Sequence, residues 1–298
     1  MEKKSLIQKR DSASIYGIIG TAILGLYSLT LLFCVGWALM SSLKGPFDFF
    51  DYPFGWPKEF RFSNYSLAFE AIGYPISTEY GYKTVYLPEM FFWTFIFAIG
   101  STFINGFTRC CCAYVSAKFS RYKLPRLMYS VVIIVMIMPI VGNLAGSIKL
   151  AKTIGYYDNL FMHFVTCMGF TGSDFLIYYA AFKGISWEYA EAAYMDGASH
   201  YDILLRIMLP MVKTTMLALM ILQFKAFWND YSYTMIYLPS TPHVALGLYK
   251  MQFDNSSLAS EIPVQLTGCV LVTMPILIMY IIFRDKIIGN VSLGGLKG

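Results

Sequence analysis

Residues 15–40 read IYGIIGTAILGLYSLTLLFCVGWALM, a run of 26 residues without a charged side chain. An α-helix rises 1.5 Å per residue, so about 20 apolar residues are enough to cross the hydrocarbon core of a bilayer. The run is too long for the core of a signal peptide and has no convincing small-x-small cleavage site, so we expect it to be retained. It predicts a transmembrane helix.

The rest of the chain is also rich in apolar residues and poor in charged ones. Apolar residues make up 57% of the 298 residues and charged residues 14%, whereas a soluble domain carries about 25% charged residues. Six runs are long enough to span a membrane, and no seventh run of about twenty apolar residues remains. The predicted fold class is an all-α membrane protein with six transmembrane helices. The predicted spans are residues 15–40, 90–117, 127–148, 160–183, 211–238 and 262–283.

The distribution of lysine and arginine predicts the orientation. The N-terminal segment, the segments after the second and fourth spans and the C-terminal segment hold fourteen of these residues, whereas the three opposite loops hold seven. The positive-inside rule therefore places both termini in the cytoplasm. We expect cytoplasmic tails at residues 1–14 and 284–298 around a six-span domain at 15–283. Residues 41–89, rich in proline and aromatic residues, then form an external cap.

Several functions are disfavoured by composition and motifs. The net charge of +5 does not indicate nucleic-acid binding, because the basic residues are scattered beside apolar runs. The six cysteines include no CxxC pair and are interpreted as small buried hydrophobes. The chain has neither a GxxxxGK[ST] phosphate loop nor an HExxH motif, and its three histidines are far apart. We therefore expect no nucleic-acid partner, no metal site, no ATPase activity and no cofactor bound by this chain.

Residues 183–213 read KGISWEYAEAAYMDGASHYDILLRIMLPMVK, which is too patterned for a plain linker between two spans. Residues 187–195 favour a helix, and Gly197 stands where a helix C-terminus favours a left-handed residue. A second amphipathic helix is predicted at 198–209, and Pro210 suits the first turn of the next span. Two short helices at an angle can fit a groove on a cytoplasmic partner. An interfacial loop that rests on lipid headgroups is the other interpretation, and the residues alone do not separate the two.

The spacing of this segment resembles the EAA signature of ABC-importer permeases. Glu191-Ala192-Ala193 is followed after three residues by Gly197, and after nine more by Ile207-x-Leu209-Pro210. Other matches narrow the resemblance to the maltose-type permeases of carbohydrate importers, although Ser186 stands where those permeases often have proline. The further matches are Ser41-Ser42-Leu43-Lys44, Trp56-Pro57, Asn64-Tyr65, Trp228-Asn229-Asp230 and the glycine-rich end at 294–298.

The resemblance implies a coupling helix that sits in a cleft of an ATP-binding subunit. Glu191 would meet basic groups there and Gly197 would make the bend. The implied partners are a second homologous permease, two ATP-binding subunits that carry ATP and Mg²⁺, an extracytoplasmic solute-binding protein and a sugar substrate. The implied location is a bacterial plasma (inner) membrane, which the chain would cross several times. The residues assigned to ATPase coupling are Glu191, Ala192, Ala193, Asp196, Gly197, Ile207, Leu209 and Pro210.

Charged residues inside predicted spans are functional candidates, because burying a charge in a bilayer is costly. Arg109 lies near the cytoplasmic end of the second span, where it can snorkel to the headgroups. Asp174, Lys225 and Asp230 lie deeper. Lys225 can pair with either carboxylate, so we predict an intramembrane ion pair among these three residues, in preference to a sugar contact.

Trp228, Asn229 and Tyr231 are candidate residues of a sugar pathway. Sugar sites combine an aromatic ring against the apolar face of a pyranose with polar neighbours for its hydroxyls. Tryptophan and tyrosine also concentrate at membrane interfaces, and that alternative stays open for these residues.

Three other functions remain to be considered. The EAA signature alone does not exclude an importer of another solute, such as a peptide. A secondary transporter driven by an ion gradient would need an ion site and often has an inverted repeat, which the sequence does not display. A membrane-embedded enzyme is disfavoured by the dispersed histidines.

Overall fold

The computed structural model describes the backbone of residues 2–78, 81–138, 142–253 and 261–291, and side chains of residues 15–78, 81–138, 142–253 and 261–283. The glycine-rich end at 294–298 lies outside the described residues. The described chain forms two compact units, residues 2–71 with 251–271 and residues 72–250 with 272–291, apart from those gaps. The elements are α1 (Glu2–Ser42), α2 (Pro46–Asp51), α3 (Ser63–Ala71), β1 (Gly73–Thr78), β2 (Gly81–Tyr86), α4 (Leu87–Lys118), α5 (Lys123–Ile137), α6 (Leu144–Thr153), α7 (Leu160–Thr166), α8 (Ser173–Lys183), α9 (Glu188–Met195), α10 (His200–Asp202), a π-helical segment (Ile203–Met208), α11 (Leu209–Trp228), α12 (Tyr231–Tyr237), α13 (Val244–Met251) and α14 (Ile262–Val291).

Four helices of the described residues are long and apolar enough to cross a membrane. The prediction of a mostly helical membrane protein is therefore confirmed. The first, second and sixth predicted spans each coincide with one continuous helix, α1, α4 and α14. The four candidate spans are Ile15–Ser42, Leu87–Lys118, His200–Trp228 and Ile262–Phe283.

The predicted third, fourth and fifth spans are not single helices. The third is divided between α5 and α6, and the fourth between α7 and α8. The break in the fourth includes Gly172, whose φ of 139° is accessible to glycine and unfavourable for other residues. In the fifth, α11 ends before Asn229, and the carboxylate of Asp230 accepts a hydrogen bond from Tyr233 N at 2.9 Å to begin α12. Each of these three predicted spans is therefore made of two shorter helices.

The first unit is organised by hydrogen bonds at the end of α1. Lys44 is fully buried, and its Nζ donates to the carbonyls of Tyr52 at 2.7 Å and Pro53 at 3.1 Å. Burial lowers the pKa of Lys44, and the nearby Asp48 carboxylate partly opposes that effect. Asn64 Nδ2 donates to the carbonyls of Ser42 and Lys44, both at 2.8 Å. Ser41–Lys44 and Asn64 are among the residues that resemble the maltose-type permeases. Their hydrogen bonds anchor the loop that follows α1 on the end of that helix.

The all-α prediction missed an antiparallel hairpin in the second unit. β1 pairs with β2 from Gly73 opposite Tyr86 to Thr78 opposite Gly81. The two strands are rich in tyrosine, threonine, isoleucine and valine, which favour β-structure. Segment 41–89 therefore contains this hairpin as well as α2 and α3.

The helices of the second unit pack around α4, which contacts both α8 and α11. Two glycines allow the close approach of neighbouring side chains. A Cβ atom at Gly100 would lie 2.7 Å from the ring of Phe164, and one at Gly106 would lie 3.0 Å from Cγ of Met220. Small residues at helix contacts are a common means of tight packing in membranes. The arrangement positions polar groups of α4, α8 and α11 side by side.

Candidate functional site

We call residues 184–210 the coupling segment, and its bend has well-defined backbone geometry. Gly197 has a φ of 81°. The N–H of Gly197 donates to Tyr194 O at 3.0 Å, and the N–H of Ala198 donates to Ala193 O at 2.9 Å. These two bonds form a Schellman motif, which closes α9 with a left-handed residue. The predicted left-handed turn at Gly197 is present.

A capping box starts the next helix directly after this bend. Ser199 Oγ accepts a hydrogen bond from Asp202 N at 3.2 Å, and the Asp202 carboxylate accepts from Ser199 N at 3.3 Å. Reciprocal bonds of this kind satisfy backbone donors that a helix N-terminus otherwise leaves free. Ser199 and Asp202 have the spacing of a capping box in the sequence, a signal that our predictions did not use.

The second helix of the coupling segment is continuous with the following span. α10, the π-helical segment and α11 form one rod from His200 to Trp228. The prediction of a separate short helix at residues 198–209 was therefore wrong. Pro210 has no N–H, and in a regular helix its ring would clash with the carbonyl of Arg206. The wider π-helical turns just before Pro210 relieve this clash while the helix continues.

One face of the coupling segment packs on the end of α4. The ring of Phe119 lies edge-on to Trp187 at 5.8 Å and to His200 at 6.2 Å. Lys118 Nζ donates to the carbonyl of Ile185, and Tyr194 hydrogen-bonds to His200. The segment is thus held on both sides of its bend. Its other packed residues are Ala190, Ala193, Ile203, Ile207, Met208 and Leu209.

The opposite face of the segment is exposed and carries acidic and large apolar side chains. Met195 is 88% exposed, Tyr201 77% and Tyr189 54%. Sequence reasoning missed these three residues. Among the residues assigned to ATPase coupling, the structure places Glu191, Ala192, Asp196, Gly197 and Pro210 on the exposed side.

Asp174 has a different partner from the one predicted. Its Oδ2 accepts a hydrogen bond from Arg109 Nη1 at 2.8 Å and another from Gln223 Nε2. The predicted pairing of Lys225 with Asp174 is wrong, because positions 223 and 225 point to opposite sides of α11 and Lys225 is exposed. Asp230, the other predicted partner, caps α12.

Arg109 does not extend toward headgroups as the sequence suggested. Its guanidinium lies against the backbone of Gly172, where a Cβ atom would approach within 3.0 Å of Cζ. Both members of the Arg109–Asp174 pair are mostly buried, with 20% and 18% of their side chains exposed. The break between α7 and α8 thus provides the space that the Arg109 side chain occupies.

The three candidate pathway residues are not equivalent. Trp228 is fully buried, donates from Nε1 to Val272 O at 3.0 Å and packs against Phe95 at 4.9 Å between ring centroids. Trp228 is therefore a core residue, and its interpretation as a pathway residue was wrong. Asn229 is exposed, and Tyr231 is 36% exposed and stacked on Tyr249 at 4.4 Å.

Two histidines that are distant in sequence meet on one phenylalanine. The ring of Phe97 lies 4.7 Å from that of His163 and 4.3 Å from that of His243. His163 hydrogen-bonds to Ser101 at 2.8 Å and Tyr233 at 2.7 Å. Nδ1 of His243 bonds to Thr234 Oγ1 at 2.6 Å, whereas its Nε2 has no hydrogen-bond partner among the described residues. Within the same residues no cluster of His, Cys, Asp and Glu is suited to hold a metal ion.

The long apolar helices define a multi-pass membrane protein, and the helical bend at Gly197 lies at its exposed surface. Residues 110–291 match the family described as the inner membrane component of binding-protein-dependent transport systems, and the chain belongs to this family. It is therefore a permease subunit that lies in the inner membrane.

Relatives cover almost the whole chain. The permease protein NgcG of a diacetylchitobiose uptake system from Streptomyces coelicolor is 24% identical over 281 residues, covering 94% of this chain and 88% of the relative. The permease protein AraQ of an arabinooligosaccharide transport system from Bacillus subtilis is 24% identical over 303 residues, covering 98% and 100%. Among solved structures, a chain of a bacterial ABC transporter that imports the acidic polysaccharide alginate has a TM-score of 0.73 at 20% identity, covering 92% of this chain and 97% of that one.

Proposed function

We propose that this chain is one of two homologous permease subunits of an ATP-driven importer that moves an oligosaccharide into a bacterial cell. The other components are two ATP-binding subunits, which hold ATP and Mg²⁺ and carry out hydrolysis, and an extracytoplasmic solute-binding protein. The family membership supports an importer, and the oligosaccharide systems of NgcG and AraQ support the cargo. This chain itself binds no nucleotide in the proposal.

The proposed topology has six crossings with both termini in the cytoplasm. The pairs α5–α6 and α7–α8 serve as the third and fourth crossings, and α11–α12 as the fifth. Broken helices are tolerated at membrane depth where other helices bury the freed backbone groups. The orientation rests on the excess of basic residues in the four proposed cytoplasmic segments.

The exposed face of the coupling segment is the observation that carries the proposal. Glu188, Glu191 and Asp196 are exposed beside Met195 and Tyr201. Such a surface fits an apolar cleft with basic groups at its rim, because apolar side chains supply buried area and rim charges supply orientation. The cleft belongs to an ATP-binding subunit in our proposal.

The same segment is built to transmit force. Its N-terminal side is tied to the end of α4 through Lys118 and Phe119, and its C-terminal side is one rod with α11. When ATP binding brings the two ATP-binding subunits together, the docked segments move with them. α4 and α11 are then displaced, so the cavity opens outward and the binding protein releases its sugar. Hydrolysis reverses the motion.

The decisive experiment uses backbone strain at Gly197. A Cβ at this position has no neighbour within 4 Å in this chain, so within the chain a substitution acts through its φ of 81°. Valine is strongly disfavoured at positive φ, whereas asparagine tolerates it. In the reconstituted complex, we expect Gly197→Val to reduce the ATPase activity stimulated by loaded binding protein to the basal rate. Gly197→Asn, the matched control, is expected to retain most of the stimulation.

Three results would contradict the proposal. If Gly197→Val is stimulated as strongly as wild type, the bend does not couple to the ATPase. If the wild-type chain copurifies without ATPase and takes up sugar only while an ion gradient is maintained, the chain is a secondary transporter. Competition of uptake by a peptide instead of an oligosaccharide would assign the importer to another solute.

A further inference from the structure

The loop that follows α1 carries a run of aromatic residues that the proposed function does not use. Residues 46–57 read PFDFFDYPFGWP, and we call them the aromatic loop. Pro57 is buried, whereas Trp56 beside it is 80% exposed. A cluster of large apolar rings on a protein surface indicates an interaction site. The rings that are more than half exposed are those of Phe47, Phe50, Tyr52, Phe54 and Trp56.

The aromatic loop is held firmly against the end of α1. Lys44 Nζ donates to the carbonyls of Tyr52 and Pro53. Trp37 Nε1 donates to the same Pro53 carbonyl at 2.8 Å, and the ring of Phe49 packs on Trp37 at 6.0 Å between ring centroids. The exposed rings are therefore presented by a fixed backbone.

The aromatic loop also folds back along α1 instead of extending away from it. The ring of Phe54 lies 6.4 Å from that of Phe33 and 6.2 Å from that of Trp37. Phe33 precedes Ser42, the last residue of α1, by nine positions. Nine residues correspond to about 13 Å along a helix axis. Phe54 therefore lies beside the span and not beyond its end.

The length of this span indicates the depth of the contact in a bilayer. The candidate span Ile15–Ser42 has 28 residues, which rise about 42 Å along the helix. The hydrocarbon core is about 30 Å thick, so a centred span leaves about 6 Å for the interfacial layer at each end. Phe54, which packs on both Trp37 and Phe33, then reaches from this layer to the upper acyl chains.

The composition of the aromatic loop fits the interfacial layer. Tryptophan and tyrosine concentrate there, because an apolar ring and a polar N–H or hydroxyl are both accommodated. The charged side chains of the loop are those of Asp48 and Asp51. Their negative charges give no attraction to anionic headgroups, so apolar rings have to supply the binding.

We propose that the aromatic loop is an interfacial anchor, whose exposed rings insert into the lipid leaflet at the C-terminal end of α1. Lipid is the occupant because the rings continue the exposed apolar surface of a membrane span: the chain buries no part of the most apolar window of α1. The anchor fixes the end of α1 at one depth in the membrane. The inference requires α1 to be a membrane span, and it is independent of the coupling segment and of the cargo.

The test measures the surroundings of single positions in the complete transporter. Phe54→Cys, Trp56→Cys and the control Ser66→Cys are made in a transporter whose native cysteines are replaced by serine or alanine. Ser66 is exposed on α3, on the same side as the exposed Glu70, so this position is expected to face water. Each cysteine is labelled with a nitroxide in phosphatidylcholine vesicles. Electron paramagnetic resonance then compares its collisions with oxygen, which concentrates in lipid, and with a neutral nickel chelate, which stays in water.

We expect collisions with oxygen to exceed those with nickel at positions 54 and 56. The excess should be larger at position 54, because Phe54 packs farther along the span on Phe33. The order should be reversed at position 66. Adding phosphatidylglycerol to the vesicles should change the ratio at position 56 by less than about twofold, because the aromatic loop has no basic residue.

Three outcomes would overturn the anchor. Nickel access at position 56 equal to that at position 66 would show that the loop lies in water. Protection of position 56 from both oxygen and nickel would show that protein covers it, and removal of the solute-binding protein would then tell whether that protein or another subunit does so. An excess of oxygen that requires phosphatidylglycerol would show that headgroup charge, and not the rings, holds the loop.

Discussion

The coupling segment and the buried polar cluster of Arg109, Asp174 and Gln223 hold their side chains by different means. In the coupling segment, the bend depends on bonds between near neighbours, such as Ala198 N–H to Ala193 O and Ser199 with Asp202. In the buried polar cluster, the bonds join residues that are 65 positions apart in the case of Arg109 and Asp174, and 49 in the case of Asp174 and Gln223.

The two regions are therefore expected to respond differently to substitution. The coupling segment depends on the backbone conformation of a few residues, so a change there should act locally and leave the packing of the spans intact. The buried polar cluster depends on the mutual position of α4, α8 and α11, so a change there should lower the stability of the whole bundle. Substitutions at the two places therefore test the comparison.

The largest effect is expected from breaking the buried ion pair. Arg109→Met leaves the Asp174 charge buried without its cation, which should lower the free energy of unfolding by about 3 kcal/mol. The measurement is denaturation of the detergent-solubilised transporter, followed by tryptophan fluorescence. Arg109→Met combined with Asp174→Leu should recover much of the loss, because both charges are then absent.

An exposed ion pair of the same unit provides the control. Lys83 and Glu89 lie 3.0 Å apart, with 55% and 39% of their side chains exposed. Since water screens such a pair, Lys83→Met should change the stability by less than about 1 kcal/mol. Equal effects of Lys83→Met and Arg109→Met would mean that burial of the Arg109–Asp174 pair does not govern the stability of the bundle.

A smaller effect is expected from filling the space beside Arg109. Gly172→Ala introduces a Cβ 3.0 Å from Cζ of Arg109 at a φ of 139°, and should cost about 2 kcal/mol of stability. Gly155→Ala is the matched variant, with a φ of 76° and no neighbour within 4 Å, and should cost about 1 kcal/mol. Thermal denaturation of both variants measures the difference, and equal losses would contradict the contact with Arg109.

The bend of the coupling segment could be predicted because its signals are local. A glycine at the end of a helical pattern indicates a left-handed turn wherever the helix packs. Asp230 had a comparable local signal, because an aspartate before a short helical run is a common N-cap. We interpreted Asp230 as an ion-pair partner instead and did not predict the cap. The β1–β2 hairpin likewise was rich in tyrosine, threonine, isoleucine and valine, a signal that the long apolar runs on either side obscured.

The partner of Asp174 could not be predicted from the same kind of signal. Gln223 and Lys225 are both polar residues in an apolar helix, and only the rotation of α11 about its axis decides which one faces α8. That rotation results from the packing of α11 against α4, including the approach of Met220 to Gly106. Charge alone favoured Lys225, whereas packing selected Gln223.

The smallest effect, and the one confined to the coupling segment, is expected from Ser199→Ala. The loss of the capping box should cost about 1 kcal/mol, which corresponds to about fivefold faster hydrogen exchange of the amides at residues 200–202. Ser130→Ala is the control, because that hydroxyl bonds only to the carbonyl of Arg126 one turn earlier, where its loss is nearly neutral. Hydrogen exchange in the assembled transporter should change at the bend and stay the same in α4 and α8. If exchange instead rises throughout the spans, the coupling segment is as dependent on long-range packing as the buried polar cluster, and the contrast between the two regions does not hold.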